Sequence, residues 1–323
     1  MPDATLALFA ATRGASTPVW QVEAVWPDGR KETLYLRLGE EPSERRDGEV
    51  RLHQLLHAAN VRVPEVVVWE GMPPELDRAA TLTRAIPGIP LKDVAPTASP
   101  AMMAKIARTA GEDLARIGAI PVDGFGWIDM PDATTGTLRA EHTTRGTWLA
   151  EYDATLEEIV AANLLRADCI TPLREAFALW RASFPDAAIT ATLAHGDFDA
   201  THIFCAQREV PIPIAGSPYT YTGIIDFGEA RGADPFYDLG HALLHDGEDG
   251  ASLIFPALLA GYRSVHPVAN DDLDAIRTQA VAIAIRHLAI AHRRSSPYSA
   301  VLAARITELL ETRLDDDGSE IHP

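Results

Sequence analysis

The sequence predicts an α+β chain in which a small β-rich part precedes a larger, mainly helical part. β-Prone runs and turn signals dominate as far as Pro87-Gly88, whereas helical spacing of apolar residues dominates from Pro100 onward. The 323 residues are 47% hydrophobic and 23% charged, which suits a globular protein with a substantial core. We therefore expect one lobe over residues 1–87 and a second over residues 88–323.

The first part opens with two β-prone runs that are predicted to form a hairpin. Residues 19–26 and 33–38 flank Pro27-Asp28-Gly29, which is a strong turn signal. The apolar run at residues 6–11 is either a first strand or a helix. The remaining elements of this part are, in order, a helix over 44–59 and strands over 66–69 and 81–86.

The second part is predicted to be helical with one interruption. Its helical segments are residues 101–118, 147–162, 172–183, 271–292 and 298–315. Short strands and loops at 193–204 and 223–227 separate the third of these helices from the fourth. No internal repeat is visible in the sequence.

Charge and cysteine usage exclude several classes of function. The 28 Lys+Arg against 46 Asp+Glu give a formal net charge of -18, which disfavours nucleic acid and anionic membranes and attracts cationic ligands. Solubility alone would also account for this charge. Cys169 and Cys205 lie far apart, which argues against a disulfide framework and fits a reducing compartment. We expect a cytoplasmic protein, monomeric or homodimeric, without nucleic-acid or membrane partners.

Two segments of the second part carry closely spaced polar residues. Residues 193–204 contain His195-Gly196-Asp197, and residues 223–238 contain Asp226 directly after an apolar run. Phosphoryl transfer requires one carboxylate that orients the substrate hydroxyl and accepts its proton. It also requires a second carboxylate that holds Mg²⁺ against the phosphates. Asp197 and Asp226 suit these two roles.

The order and spacing of these motifs resemble the aminoglycoside phosphotransferase family. The matching residues are His195-Gly196-Asp197, His202-Ile203 after a gap of four, the run 225–230, and Asp234-Pro235 with Asp238. The resemblance implies a protein-kinase-like fold, with a nucleotide-binding lobe followed by a catalytic and substrate-binding lobe. It implies Asp197 as the catalytic base and Asp226 as the principal Mg²⁺ ligand. It also implies that His195 and Asp238 are structural, with the Asp238 carboxylate bracing the catalytic loop.

The resemblance extends to the first part through less specific motifs. Ser16 lies in a short loop similar to the family's phosphate-covering loop and could donate to a phosphate oxygen. Arg37 stands where the family places its nucleotide-anchoring cation, and Glu49 matches the acidic partner of that cation. Arg84 and Ile86 belong to the segment whose backbone meets the purine. The motifs leave the choice between ATP and GTP open.

His202 departs from the pattern, because most relatives carry Asn at this position of the metal site. Mg²⁺ prefers oxygen ligands, although macrolide phosphotransferases are similar to this chain in having His here. The alternative is a histidine that is hydrogen-bonded within its own loop. Asp199, Glu229 and Asp234 flank the expected hydroxyl site and could bind a substrate ammonium group; Asp199 and Glu229 could equally be solvated loop charges.

His241 and His245 lie four residues apart on a predicted helix, which is a spacing found in metal sites. The sequence pattern offers neither a Glu in the HExxH position nor an evident third ligand. We therefore expect these histidines to pack in the core rather than to bind zinc.

The residues favour an ATP- or GTP-dependent, Mg²⁺-using O-phosphotransferase that acts on a hydroxyl of a small molecule. An aminoglycoside or a macrolide antibiotic is a candidate acceptor. The alternatives are a kinase for an amino alcohol or a sugar, and a nucleotide-binding pseudoenzyme. A metal-dependent hydrolase built on His195, Asp197, His202 and Asp226 would need further ligands that the sequence does not offer.

Overall fold

The computed structural model describes residues 4–10, 19–39, 47–70, 78–128, 137–184, 190–207, 219–248 and 253–322. Its first part is a five-stranded antiparallel sheet with the order β1-β2-β3-β5-β4, together with one helix. These elements are β1 (Thr5–Ala10), β2 (Val19–Val25), β3 (Lys31–Leu38), α1 (Asp47–Ala58), β4 (Val66–Glu70) and β5 (Ala80–Arg84). The run at residues 6–11 is therefore a strand, and the predicted β-rich first part is confirmed.

The hairpin of β2 and β3 is determined by its turn and by its alternating side chains. Gly29 adopts φ +83°, a left-handed conformation that glycine reaches without steric cost. Gly29 N donates to Trp26 O at 2.9 Å and closes the turn. Val22, Ala24 and Leu34 are buried on one face of the sheet, where they form a small hydrophobic cluster of their own. The predicted hairpin is confirmed.

The second part is mainly helical. Its helices are α2 (Leu91–Val94), α3 (Pro100–Ile117), α4 (Arg145–Ala161), α5 (Ile170–Ser183), α6 (Tyr237–Leu244), α7 (Phe255–Arg263), α8 (Asn270–Arg293) and α9 (Tyr298–Glu311). Its strands are β6 (Ile89–Pro90), β7 (Val122–Asp123), β8 (Phe125–Ile128), β9 (Leu138–His142), β10 (Thr192–Ala194), β11 (Ile203–Gln207), β12 (Tyr219–Ile224), β13 (Arg231–Ala233), β14 (Arg313–Leu314) and β15 (Glu320–Ile321). The five predicted helices are present, within a few residues of their expected ends.

The short strands predicted within 193–204 and 223–227 are present, but the sheets that the second part forms were not predicted. One sheet has the order β10-β13-β8-β9-β7, and another has the order β12-β11-β6. These strands contain two to six residues, too few for a period-2 pattern to be recognised. Helix α7 was also missed. The helix predicted around His241 is present as α6, and all eight of its residues are buried.

The main hydrophobic core lies in the second part and extends into α1. Leu52 and Leu56 of α1 belong to this core and are fully buried. Helices α3 and α7 approach each other so closely at Gly111 that a Cβ atom there would lie 2.1 Å from Leu258 O. Among the described residues, no helix combines the length and the apolar character that crossing a lipid bilayer requires.

The connection between the two parts runs directly into a sheet of the second part. Gly88 adopts φ +107°, and β6, which follows it, pairs with β11 in the register Cys205↔Ile89. A Cβ atom at Gly88 would lie 2.1 Å from Cys205 O, so glycine is required here. The boundary between lobes at Pro87-Gly88 stays a prediction.

Candidate active site

Asp197 lies in the loop that joins β10 to β11. The loop passes through Gly196 at φ +89°, where a Cβ atom would lie 1.9 Å from Glu229 O. The backbone amides of His195 and Gly196 donate to the two carboxylate oxygens of Asp238, at 2.7 and 2.9 Å. Asp238 is buried in the first turn of α6. These two bonds attach the loop to α6 and fix the position from which Asp197 projects.

His195 connects the same loop to the strand that leads to Asp226. Its Nε2 donates to Ile225 O at 2.8 Å, while its Nδ1 accepts from Asp197 N at 3.3 Å. Burial lowers the pKa of His195, so the ring is neutral at pH 7. Both nitrogens are therefore engaged inside the protein, and His195 cannot serve as a metal ligand of the hydrolase type.

Asp226 follows β12 and adopts a left-handed conformation, with φ +66° and ψ +69°. This conformation costs a non-glycine residue about 1–3 kcal/mol and persists where the surrounding structure imposes it. Ile225 N donates to His202 O at 3.1 Å, which holds the preceding residue against the Asp197 loop. The Asp226 side chain is 49% exposed, so its carboxylate is accessible to a ligand.

The two carboxylates converge on His202. The Nδ1 atom of His202 donates to Asp197 O at 2.6 Å. Its Nε2 atom lies 3.9 Å from Asp197 Oδ2 and 3.9 Å from Asp226 Oδ2. Because Nδ1 is occupied by this bond, Nε2 is the ring nitrogen that faces the space between the carboxylates. His202 is thus hydrogen-bonded within its loop and also faces a possible ion position.

His241 is a site residue that sequence reasoning missed. Its Nδ1 donates to Phe198 O at 3.1 Å, and its Nε2 lies 3.3 Å from Asp197 Oδ1. Burial alone would lower the pKa of His241, but the Asp197 carboxylate outweighs burial and raises it. Burial alone would raise the pKa of Asp197, but His241, followed by His202 and His195, holds it well below its usual range. Asp197 is therefore ionised at neutral pH.

Arg37 connects the β-rich part to Asp226. Its Nη1 lies 3.2 Å from Glu49 Oε1, so the predicted partners on β3 and α1 are in contact. Its Nη2 lies 3.7 Å from Asp226 Oδ1. A cation of the first part is thus placed beside a carboxylate of the second part.

Comparison with known families identifies the chain. The model of the APH family, a phosphotransferase enzyme family, matches residues 10–277, which is most of the sequence. The chain belongs to this family. It is a small-molecule phosphotransferase, and its membership removes the hydrolase from consideration. No curated protein matches the chain at a significant level.

Solved structures show the fold of this phosphotransferase. A thermostable mutant of the aminoglycoside phosphotransferase APH(4)-Ia has a TM-score of 0.64 at 16% identity, covering 95% of this chain and 94% of that one. Aminoglycoside 2'-phosphotransferase-IIIa, in its GDP complex, has a TM-score of 0.59 at 19% identity, covering 96% and 93%. A Thermobifida fusca protein proposed to be a fructosamine-3-kinase has a TM-score of 0.57 at 15% identity, covering 95% and 94%. The predicted protein-kinase-like fold is confirmed.

Three further residues, Ser16, Arg84 and Ile86, are predicted to hold a nucleotide. Ser16 lies outside the described residues. The Arg84 guanidinium forms ion pairs with Glu32 and Glu65, so its side chain is committed to acidic neighbours. Ile86 follows β5, and its Cδ1 would lie 2.7 Å from a Cβ atom at Gly223. The segment that contains Arg84 and Ile86 therefore packs against the strand leading to Asp226.

Of the carboxylates predicted to bind substrate, Asp199 and Glu229 already have partners in the phosphotransferase. Asp199 Oδ1 accepts from Thr201 N at 2.6 Å, which stabilises the loop. Glu229 lies 2.9 Å from Arg231 Nη2, and burial raises the pKa of Glu229. Their roles toward substrate stay predictions.

Asp234 does not face the acceptor, contrary to the expectation from its position in the sequence. It is fully buried and bonds to Arg145, with Oδ1 2.7 Å from Nε and Oδ2 2.8 Å from Nη2. Arg145 also donates to the carbonyl oxygens of Trp180 and Phe184. This bidentate pair connects α4 to the segment before α6 and is structural.

Proposed function

We propose that this phosphotransferase transfers the γ-phosphoryl group of ATP or GTP to a hydroxyl of a cationic small molecule, with Asp197 as the catalytic base. The observation that carries the proposal is the convergence of Asp197 and Asp226 on His202 Nε2, at 3.9 Å each. Phosphoryl transfer needs one carboxylate for the acceptor hydroxyl and another for the metal, close together. The hydrogen bonds that hold the Asp197 loop and the residue before Asp226 keep the two carboxylates in this arrangement.

Asp197 has the properties that its proposed role requires. Its side chain is 42% exposed, so an acceptor hydroxyl can reach it. The neighbouring His241 keeps it ionised and therefore able to accept a hydrogen bond and then a proton. The bonds from His195 and Gly196 to Asp238 hold the loop, so the hydroxyl is oriented without a further conformational cost.

Asp226 and His202 are the residues that would hold Mg²⁺. The half-exposed carboxylate of Asp226 is the type of ligand that Mg²⁺ prefers, and the remaining ligands would come from phosphate and water. His202 Nε2 is oriented toward the same space, although nitrogen is a weaker ligand for this hard ion. When bound, Mg²⁺ neutralises the charge that develops on the phosphates.

The nucleotide would lie between the two parts of the chain, where Arg37 meets Asp226. The Arg37–Glu49 pair holds the guanidinium in position to contact phosphate oxygens. Ser16, Arg84 and Ile86 would complete the nucleotide site as the family resemblance implies. Nucleotide use is supported by the complexes of APH(4)-Ia with ADP and of aminoglycoside 2'-phosphotransferase-IIIa with GDP.

The proposed acceptor carries both a hydroxyl and a positive charge. The net charge of -18 favours the approach of cations. Asp199 lies two residues after Asp197 in the sequence, and Glu229 lies close enough to Asp197 for the two carboxylates to interact. APH(4)-Ia forms a ternary complex with ADP and hygromycin B. Aminoglycosides and macrolides both present a hydroxyl near an amino group, so either class satisfies the proposal.

A phosphorylation screen tests this function. Aminoglycosides, macrolides, amino alcohols and neutral sugars are each incubated with the purified chain and Mg²⁺, with ATP and with GTP in parallel. We expect turnover with at least one cationic class, and turnover lowered about 10²–10⁴-fold in the Asp197→Asn variant. Turnover restricted to neutral sugars would refute the cationic acceptor. Nucleotide binding without transfer to any acceptor would favour a pseudoenzyme and overturn the proposal.

A further inference from the structure

Three histidine rings lie together directly behind Asp197. His241 and His245 are one turn apart at the end of α6, and His287 faces them from α8. Their ring centroids are 4.7 Å (His241–His245), 5.4 Å (His241–His287) and 5.7 Å (His245–His287) apart. One nitrogen of each ring lies within 4.8 Å of the others. A third histidine, which the sequence pattern did not reveal, is therefore brought to this pair by another helix.

Hydrogen bonds orient two of these rings. Nδ1 of His241 faces Phe198 O at 3.1 Å, and Nδ1 of His245 faces Glu248 Oε2 at 2.9 Å. Both acceptors are oxygens without a hydrogen, so each Nδ1 must donate and each Nε2 is left for another partner. A metal-binding histidine is held in the same way, since its second nitrogen donates to a carbonyl or carboxylate.

The fully buried His241 directs its Nε2 at the Asp197 carboxylate. Among the described residues, no hydrogen bond is made by its Nε2, which lies 3.3 Å from Asp197 Oδ1 at ion-pair distance only. A metal ion bound to this nitrogen would take the place of the proton that faces Asp197. Tyr298 donates its hydroxyl to Glu248 and so fixes the carboxylate that orients His245.

We propose that His241, His245 and His287 form a binding site for a divalent transition-metal ion with affinity for imidazole, such as Zn²⁺ or Co²⁺. Zn–N bonds of about 2.0–2.1 Å place tetrahedral nitrogen ligands about 3.4 Å apart, so small ring rotations would close the present cluster around an ion. Three protein ligands leave a fourth position for water or for Asp197. The all-imidazole set distinguishes this site from the oxygen-rich Mg²⁺ site.

Cobalt binding tests the site without nucleotide or acceptor, and therefore independently of the proposed function. The chelator-treated full chain is titrated with Co²⁺, and the visible absorption of four-coordinate Co²⁺ is recorded. We expect a single such ion per chain, with affinity reduced at least about 10–100-fold by His287→Gln and by His245→Gln. His292→Gln is the matched control, because His292 is an exposed histidine on the same helix.

Two further variants distinguish the proposed site from two other clusters of the described residues that could hold a metal ion. Residues Glu141, His142 and Glu151 form one such group, and Asp197, Asp199 and His202 form another. Binding that is lost in His142→Gln or His202→Asn but kept in His287→Gln would overturn the proposal, as would no four-coordinate Co²⁺ in the unaltered chain. X-ray absorption of the Zn²⁺-loaded unaltered chain must show three imidazole ligands. This measurement uses only the unaltered chain, so it tests the proposal even if the variants do not fold.

Discussion

The effect of altering the Asp238 carboxylate on stability and turnover can be worked out from its hydrogen bonds. It is buried and accepts from His195 N at 2.7 Å and from Gly196 N at 2.9 Å. Asp238→Asn preserves the shape of the side chain but replaces one acceptor oxygen with an NH₂ group. One of the two buried amides then loses its partner and faces another donor.

The expected loss follows from these two bonds. A hydrogen bond to a charged group contributes about 1.5–3 kcal/mol, so Asp238→Asn should lower the free energy of unfolding by about that amount. A domain with about 5–15 kcal/mol of stability remains folded after such a loss. The Asp197 loop is then held to Asp238 by one hydrogen bond instead of two, and a displacement of about 1 Å at a catalytic group can reduce turnover about 100-fold.

Urea unfolding and steady-state kinetics are measured on the same preparations. The matched control is Asp113→Asn, which alters another buried carboxylate on α3, one that accepts from Arg62 N at 3.1 Å and from Tyr221 Oη at 3.0 Å. This control should lose stability but keep its turnover, whereas Asp238→Asn should lose both. A folded Asp238→Asn protein with turnover within about twofold of the unaltered enzyme would refute the bracing role.

Three further changes test other parts of the account. Arg37→Gln should raise the KM for nucleotide about 10–100-fold, because a charged contact to phosphate is lost; an unchanged KM would remove Arg37 from the nucleotide site. Arg145→Leu should lower the free energy of unfolding by about 3–5 kcal/mol, because it leaves Asp234 buried without its bidentate partner; urea unfolding that shows less than about 1 kcal/mol would contradict this. His202→Asn should remain active and reach half-maximal rate at a lower Mg²⁺ concentration, since an oxygen ligand replaces nitrogen; complete loss of turnover over a Mg²⁺ titration would show that His202 has another role.

Elements with a strong local pattern were predictable from the sequence. The β2–β3 hairpin followed from its turn residues, and α3, α4, α5, α8 and α9 followed from their apolar spacing. The proximity of Asp197 and Asp226 followed from the order of two motifs, because each carboxylate comes within three residues of the end of a short strand. The structure brings the two side chains to the same histidine nitrogen.

Contacts between distant segments were not predictable. His241 faces Asp197 across 44 positions of the sequence, and His287 joins the cluster from another helix. The burial of Asp234 against Arg145 depends on α4, whose sequence gives no sign of this contact. Such pairs depend on how helices pack around the core, which local periodicity does not encode.

Asp197 is the residue on which the proposed chemistry depends, and the isosteric variant Asp197→Asn tests it most directly. Turnover is measured together with nucleotide affinity, and Asp153→Asn serves as control because its side chain is also half-exposed and ion-paired. The account predicts that Asp197→Asn loses about 10²–10⁴-fold in kcat while nucleotide affinity stays near that of the unaltered enzyme. An Asp197→Asn enzyme with near-native kcat would contradict the assignment of Asp197 as the base.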